Sequence, residues 1–325
     1  MFEVKKQEDP KARPQTKAQD GRPAAVRPAV ILNDTSGTGD KEQARARLAE
    51  IFSESNVEAR ISLAQSGEEI IDLARSAVSD NCQPIIAGGG DGTINAVASV
   101  VIDTDRTLGV LPLGTLNHFA KDLHIPLDLD GAARVALEGR EARVDVGEVE
   151  GRIFLNNSSL GLYPSIVRHR EKQQERLGRG KWPAFLWATL TMLKRYPFLN
   201  VRLSTDDQRL VRSTPFVFVG NNEYEMESFN VGARSCIDAG QLSLYVAHRT
   251  GRLGLLRLAW RALFGGLRDE QDFDALCTKE VFIETRRPKR LRVATDGEVN
   301  IMTTPLHYRV RPGALRVLVP EGSDK

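Results

Sequence analysis

The first half of the chain alternates short apolar runs with stretches of helical spacing. One such stretch, residues 68–78, places Ile70, Ile71, Leu73, Ala74 and Val78 on one face. The apolar runs at 28–33, 57–63 and 84–87 are followed by helical stretches at 41–52, 68–78 and 94–101. A fourth unit of strand, turn and short helix spans 108–123, and a last helix lies at 131–137. Such alternation predicts a parallel sheet covered by helices on both sides. We therefore predict an α/β fold, with a doubly wound and mostly parallel sheet over residues 28–142.

The second half has a different pattern. After Asp145, strand-like segments follow one another at 153–160, 199–203, 215–220, 241–246 and 279–284. This pattern predicts a mainly antiparallel β-sandwich domain over 143–311, with helical insertions. Residues 1–27 are polar, charged and interrupted by prolines, which is typical of a disordered tail.

Composition excludes several classes of protein. The net charge of the 325 residues is only +2, so we expect no nucleic-acid partner, and electrostatic attraction must come from local patches. Cys82, Cys236 and Cys277 are scattered without a C-x-x-C spacing, which fits a reducing compartment and gives neither a disulfide framework nor a zinc site. No apolar run approaches the length of a membrane span, and the N-terminus has no apolar signal core. We therefore expect a cytoplasmic protein.

A glycine-rich turn carries the first chemical signal. Gly88-Gly89-Gly90-Asp91-Gly92-Thr93-Ile94-Asn95 lies between an apolar run and a helical stretch. The unpaired N–H groups at the start of a helix favour a phosphate, and glycines let the backbone approach it closely. A carboxylate such as Asp91 is repelled by phosphates unless a metal ion lies between them, so the stretch predicts a nucleotide held through Mg²⁺. The alternative is an ordinary tight turn with a capping Asp.

A second turn strengthens this hypothesis. Leu108 to Leu123 again runs from a buried-type strand through Gly114-Thr115 into a short helix containing His118. Two such turns in successive strand–helix units are expected side by side at the carboxyl edge of the sheet, where open α/β folds bind ligands.

The two motifs together resemble a known family. GGGDGT at 88–93 and PLGTLNHFA at 112–120 are similar to the catalytic domain of diacylglycerol kinases and the related bacterial lipid kinases and sphingosine kinases, over most of the chain after about residue 28. The resemblance implies a lipid kinase that uses ATP and Mg²⁺ to phosphorylate a hydroxyl of a diacylglycerol-like or sphingoid lipid. It also implies that the terminal run 314–319 returns to the first domain, which would then include about 312–325. NAD kinases share the GGDGT element but are not expected to carry the second motif, so an NAD kinase-like or other soluble-substrate kinase ranks second.

The resemblance also implies where the nucleotide binds. The cradle is formed by three turns, whose candidate residues are Asn33, Ser36 and Gly37 in the first, Gly88, Gly89, Gly90, Asp91, Gly92, Thr93 and Asn95 in the second, and Gly114, Thr115 and Asn117 in the third. The family has a proline where this chain has Asp34, so a simple Asx-capped turn explains the first set as well as a ligand contact does.

Phosphoryl transfer to an alcohol also needs a base for the hydroxyl proton. The sequence Asp296-Gly297-Glu298 follows an apolar strand and, taken alone, is typical of a surface hairpin turn. The resemblance implies instead that Glu298 is the proton acceptor with Asp296 beside it, and that Asp91 and Asp145 belong to the metal and water network. The direct ligands of the metal stay unassigned.

Two positions depart from the family pattern. His118 stands where the family usually has Asp, and Asp238-Ala239-Gly240 stands where the family has a D-D-G-x-L segment that binds a structural Mg²⁺. Ala239 offers no ligand, which puts that ion in doubt. These departures motivate a third hypothesis, a non-catalytic nucleotide- or lipid-binding protein of the same fold.

Two cationic helical stretches, at 165–196 and 253–267, mix Arg and Lys with Trp, Phe and Leu. That mixture suits the surface of an anionic membrane, although a core-facing helix with a solvated basic face is the alternative. We expect a peripheral membrane contact that delivers the lipid substrate, with a homodimer left open.

Overall fold

The computed structural model describes residues 27–37, 41–161, 198–205, 208–222, 238–247 and 273–322. Its first part is the predicted α/β layer. Four parallel strands lie in the order β2-β1-β3-β4, namely β1 (Ala29–Asn33), β2 (Arg60–Ala64), β3 (Ile85–Gly89) and β4 (Leu108–Pro112). The helices are α1 (Lys41–Glu54), α2 (Gly67–Ser79), α3 (Asp91–Val101), α4 (His118–Asp122) and α5 (Leu129–Glu138). β3 and β4 are buried along their whole length, as the continuous apolar runs predict.

Helix α2 shows how local sequence sets the element boundaries. The Ser66 side chain accepts a hydrogen bond from the Glu69 N–H, and the Glu69 carboxylate accepts one from the Gln65 N–H. The first bond satisfies an N–H group that the first turn leaves unpaired, and the second holds the residue before the N-cap against the helix. The apolar face beyond it packs against β1, β2 and α3.

The remaining strands form an antiparallel second part. They are β5 (Arg140–Val149), β6 (Arg152–Phe154), β7 (Asn157–Gly161), β8 (Leu199–Ser204), β9 (Arg209–Thr214), β10 (Phe216–Asn221), β11 (Leu242–Ala247), β12 (Phe273–Thr278), β13 (Glu280–Thr285), β14 (Arg290–Thr295), β15 (Glu298–Thr303) and β16 (Leu306–Val319). Strands β12-β11-β10-β7-β14-β15 form one antiparallel sheet. The fold class expected from the sequence, a mostly parallel sheet with helices followed by an antiparallel part, is confirmed.

One predicted strand is wrong. The run 153–160 was expected to be a single strand, but β6 and β7 belong to different sheets. The break falls at Leu155 and Asn156, whose N–H groups donate to the Asp296 carboxylate. A tertiary hydrogen bond has therefore interrupted a sequence that is locally suited to a continuous strand.

The last strand joins the two parts. β16 pairs with β4 in parallel at Val317↔Leu108, with β5 in antiparallel, and with β13 through its first residues. The parallel sheet thus continues through β16 and β13 to β8 and β9. The domain limits 28–142 and 143–311 stay a proposal, because β5 runs through residues 142 and 143 without a break.

The second part has its own core, with Tyr308 fully buried in it. The Tyr308 ring meets Phe154 edge-on with centroids 6.2 Å apart, and its hydroxyl lies 3.0 Å from the Ser158 Oγ. Burial raises the pKa of the Tyr308 phenol, and the hydrogen bond with Ser158 opposes that shift. A buried hydroxyl without such a partner would cost stability, so this bond fixes β16 against β7.

None of the described helices is long and apolar enough to cross a membrane. The two cationic stretches, 165–196 and 253–267, lie outside the described residues, as does the expected tail apart from Arg27.

The pairing of β16 can be tested by a matched pair of Val→Ala variants. Val317 is fully buried between β4 and β5, whereas Val211 in β9 is 64% exposed. We expect Val317→Ala to lower the free energy of unfolding by about 2 kcal/mol, and Val211→Ala by about 0.5 kcal/mol or less. Urea denaturation measures both, and equal losses would contradict the burial of the last strand in the first core.

Candidate functional site

The two glycine turns touch backbone to backbone. A Cβ added to Gly114 would lie 2.4 Å from the Gly90 Cα. Asn117 has a left-handed backbone conformation and holds the Gly114 turn in place. Its Nδ2 donates to the carbonyls of Pro112 and Gly114, and its Oδ1 accepts the Gly114 N–H. The two turns lie side by side because β3 and β4 are parallel neighbours.

This contact gives a test based on stability alone. Gly114→Ala should lower the free energy of unfolding by about 2 kcal/mol or more, because the new methyl group meets backbone that has no room to yield. Gly92→Ala is the matched control: a Cβ there meets nothing within 4 Å, and alanine suits a helix better than glycine, so stability should stay or rise. Thermal or chemical denaturation of both variants without ligand decides the matter; a Gly114→Ala protein as stable as the parent would contradict the contact.

The first turn lies at the same edge of the sheet. The Asn33 Nδ2 donates to the Thr93 Oγ1 at 2.8 Å, and its Oδ1 accepts both the N–H and the hydroxyl of Thr35. Gly37, with φ +68°, lies against the Leu113 carbonyl oxygen, where a Cβ would approach to 2.4 Å. The Asx-capped geometry is therefore present, and it also joins the first turn to the other two.

Not all candidate glycines lie in the turn itself. Gly88 and Gly89 are buried in β3, where added Cβ atoms would collide with Leu32 and Thr93. Their role in this structure is close packing of strand against strand and helix. Gly90 caps α3, and the polar groups of Asp91, Thr93 and Asn95 follow in its first turns. Thr115 is exposed beside Gly114.

Asp91 joins two helices. Its carboxylate oxygens accept the N–H groups of His118 at 3.2 Å and Phe119 at 3.1 Å, which are the first residues of α4. The capping alternative is thus right in part, although the carboxylate caps α4 and not its own helix. The departure at His118 lies directly beside this contact.

Asp296 lies in the turn between β14 and β15 with φ +46°. Its carboxylate accepts three backbone N–H groups, from Leu155 at 2.6 Å, Asn156 at 2.9 Å and Asn157 at 3.0 Å. Burial raises the pKa of Asp296 to about 6; these N–H groups oppose the rise, and the nearby negative charge of Asp91 adds to it. The structure therefore brings Asp91 and Asp296 together from opposite halves of the chain.

Glu298 differs from its neighbour. It is the first residue of β15, it is exposed, and its side chain has no hydrogen bond or ion pair within the described ranges. The surface-hairpin interpretation of Asp-Gly-Glu is correct for the backbone. It misses Asp296, whose side chain points into the protein.

Asp145 is 2% exposed, and both of its oxygens are used by backbone. The Gly240 N–H donates to Oδ2 at 2.6 Å and the Gly313 N–H to Oδ1 at 2.8 Å. The carboxylate thus fastens β5 to the segment before β11 and to the bulge in β16. The part of Asp145 in a metal and water network stays a prediction.

Sequence reasoning missed Asn221. Its Nδ2 donates to the carbonyls of Asp145 at 2.8 Å and Leu155 at 2.9 Å, and so links the Asp145 region to the segment that holds Asp296. An Asn at the end of an apolar strand is a common sequence, and only the pairing of β10 with β7 brings it here.

The residues around Asp145 do not fit a structural Mg²⁺. Ala239 has no ligand atom, Asp238 is exposed, and the described part of the chain contains no cluster of three or more His, Cys, Asp or Glu side chains suited to a metal.

We therefore expect no structural ion in the nucleotide-free protein. Its melting temperature should be the same in millimolar Mg²⁺ and in chelator. Asp145→Asn should lower the free energy of unfolding by about 2 kcal/mol in both, because an amide N–H would face a backbone donor. Asp238→Asn, the exposed control, should change nothing. A melting temperature that falls in chelator, or with Asp238→Asn, would show a bound ion.

A nucleotide-associated Mg²⁺ fits better. The negative charge of Asp91 acts on the Asp296 carboxyl, and the Asn95 Oδ1, one turn along α3 from Asp91, is buried without a donor among the described residues. Mg²⁺ prefers such oxygen ligands and needs only one or two from the protein when phosphates supply the others.

A parallel sheet thus carries two touching glycine turns, one of which begins a helix whose free N–H groups favour phosphate. Comparison with known families agrees. Residues 27–149 match the diacylglycerol kinase catalytic domain, and residues 165–319 match the YegS C-terminal NAD kinase beta sandwich-like domain.

Individual relatives give the same picture. A probable lipid kinase YegS-like protein of Pseudomonas aeruginosa is 30% identical over 258 residues, covering 77% of this chain and 81% of the relative. A Staphylococcus aureus diacylglycerol kinase is 36% identical over 137 residues, covering 41% of this chain and 42% of its own length. The crystal structure of a putative diacylglycerol kinase from Bacillus anthracis superposes with a TM-score of 0.72 at 22% identity, covering 93% of this chain and all of that one, which shows the fold. The chain belongs to the diacylglycerol kinase-like family of lipid kinases.

Proposed function

We propose that the protein is an ATP-dependent lipid kinase that transfers the γ-phosphate to a hydroxyl of a diacylglycerol-like or sphingoid lipid. The observation that carries the proposal is the pair of touching glycine turns, with Asp91 at the start of α3 under the electrostatic influence of Asp296 from the second part. One half of the chain thus supplies the phosphate cradle, and the other closes it with an acidic turn.

The cradle is the start of α3 with the turn at Gly114 and Thr115. The first N–H groups of an eleven-residue helix are unpaired and carry partial positive charge, which favours phosphate oxygens. The phosphate-binding edge of the sheet is completed by Asn33, Ser36 and Gly37. Asn117 keeps the Gly114 turn rigid, so little reorganisation is needed on binding.

Mg²⁺ would be held by oxygens of Asp91, Asp296 and Asn95 together with the nucleotide. When bound, it supplies positive charge that offsets the charge on the phosphates and on the carboxylate pair. The three backbone N–H groups on Asp296 fix its orientation before any ligand enters.

Glu298 accepts the proton of the attacking hydroxyl. Asp296 anchors the turn, and Gly297 at φ +90° lets the chain reverse there, so Glu298 leaves a fixed support with its own carboxylate unengaged. An ionised carboxylate within reach of the alcohol is a suitable base. Leu116, 48% exposed next to Thr115, offers apolar surface to a lipid acceptor at the same edge.

A second candidate is an NAD kinase-like activity. The name of the family that residues 165–319 match, which refers to the NAD kinase beta sandwich, favours it. The test is to incubate the protein with labelled ATP, Mg²⁺ and a panel of diacylglycerols, sphingoid bases, NAD and soluble alcohols. Phosphorylation of a lipid supports the proposal, phosphorylation of NAD alone replaces it with the second candidate, and nucleotide binding without turnover on any acceptor favours the non-catalytic hypothesis raised by His118.

The base can be tested with two Glu→Gln variants. Glu298→Gln should lower kcat by about a hundredfold or more and leave the KM for ATP within about twofold, because a base acts in the transition state. Glu321→Gln, at an exposed position in the terminal turn, is the control and should match the parent. If the KM for ATP rises strongly while kcat survives, Glu298 binds substrate and the base lies elsewhere.

A further inference from the structure

Lys41 is a buried cation at the proposed phosphate edge. It is the first residue of α1 and is only 6% exposed, although lysines are almost never buried without a partner. Within the described ranges its ammonium group has no ion pair or hydrogen bond. Since burying an unpaired charge is costly, this arrangement needs an explanation.

The position of Lys41 in its helix makes the cost larger. The start of a helix carries partial positive charge, so a cation in the first turn is repelled where an acid would be stabilised. α1 does have an acid there, but Glu42 is exposed and pairs with Arg45 at 3.6 Å. Neither the helix nor its acidic residue stabilises the Lys41 charge.

The surroundings of Lys41 indicate what does. Its Nζ lies beside Gly37, 3.4 Å from where a Cβ of that residue would be, and Gly37 lies against the Leu113 carbonyl. Gly114, the next residue, packs on Gly90 at the start of α3. The ammonium group therefore lies beside the Gly37 turn, which contacts the segment leading into the Gly114 turn at the carboxyl edge of the parallel sheet.

We propose that Lys41 binds the phosphate chain of the nucleotide. This inference rests on the proposed function and adds a residue to its site. The backbone turns contribute only N–H dipoles, whereas Lys41 contributes a full positive charge that attracts a polyphosphate. The Lys41 side chain is already shielded from water before the ligand arrives. In the ligand-free protein the buried cation lowers stability, and binding of the phosphates offsets that loss.

The experiment measures binding of ADP, tripolyphosphate and adenosine by titration calorimetry, with Lys41→Met, Lys41→Gln and the control Arg45→Met. Arg45 is on the same helix, and its side chain is 48% exposed. We expect both Lys41 variants to bind ADP and tripolyphosphate about ten- to a hundredfold more weakly, with adenosine binding unchanged, because a lost charged hydrogen bond has that magnitude. Arg45→Met should bind all three like the parent.

A stability measurement separates binding from a structural role. Without ligand, Lys41→Met should melt at the same temperature as the parent or higher, since it removes a buried unpaired charge. Unchanged ADP affinity in both Lys41 variants would overturn the proposal, as would a lower melting temperature with unchanged affinity. If the parent itself binds neither ADP nor tripolyphosphate, the proposed function fails; if the parent binds and turns over and the variants equal it, only the role of Lys41 fails.

Discussion

Backbone N–H groups hold three buried or partly buried aspartates of this protein in place. Asp91 accepts from α4, Asp296 from residues 155–157, and Asp145 from Gly240 and Gly313. In each case the donor lies far from the acceptor in sequence, so every carboxylate joins two segments. The site therefore exists only when both halves of the chain are folded together, and its charges are positioned by the same bonds that hold the halves in contact.

These clamps explain how two carboxylates can lie close together before a cation arrives. The N–H groups on Asp296 stabilise its ionised form, while burial and Asp91 favour the protonated form, and the second influence prevails. Lys41 shows the opposite imbalance, a buried positive charge with no acidic partner in the part of the chain that the structure describes. A nucleotide with its metal would supply both missing charges, positive between the carboxylates and negative at the lysine. The ligand-free site is thus electrostatically strained in a way that favours binding.

The position of Asp145 shows how the same fold can hold its segments without an ion. Direct donation from Gly240 and Gly313 satisfies the carboxylate where Ala239 leaves no ligand for a metal. Asn221 then connects this clamp to the Asp296 segment. The antiparallel part therefore positions the acidic turn through hydrogen bonds that run from β5 through β10 to the break between β6 and β7.

The sequence by itself determined the α/β layer and the side-by-side placement of the two glycine turns. Those features are local: apolar periodicity defines each element, and successive parallel strands must end at one edge. It also identified Asp91 and the Asp-Gly-Glu turn. Tertiary structure decided what these residues do. Residues 155 and 156 lie between two strands because the Asp296 carboxylate accepts their N–H groups. Gly88 and Gly89 pack closely against Leu32 and Thr93. The Asp145 carboxylate joins β5 to two other segments. A lysine at a helix start is typical of a solvated position, yet Lys41 is buried in the folded chain. Contacts between distant segments set burial and hydrogen bonding, and no pattern along the chain records them.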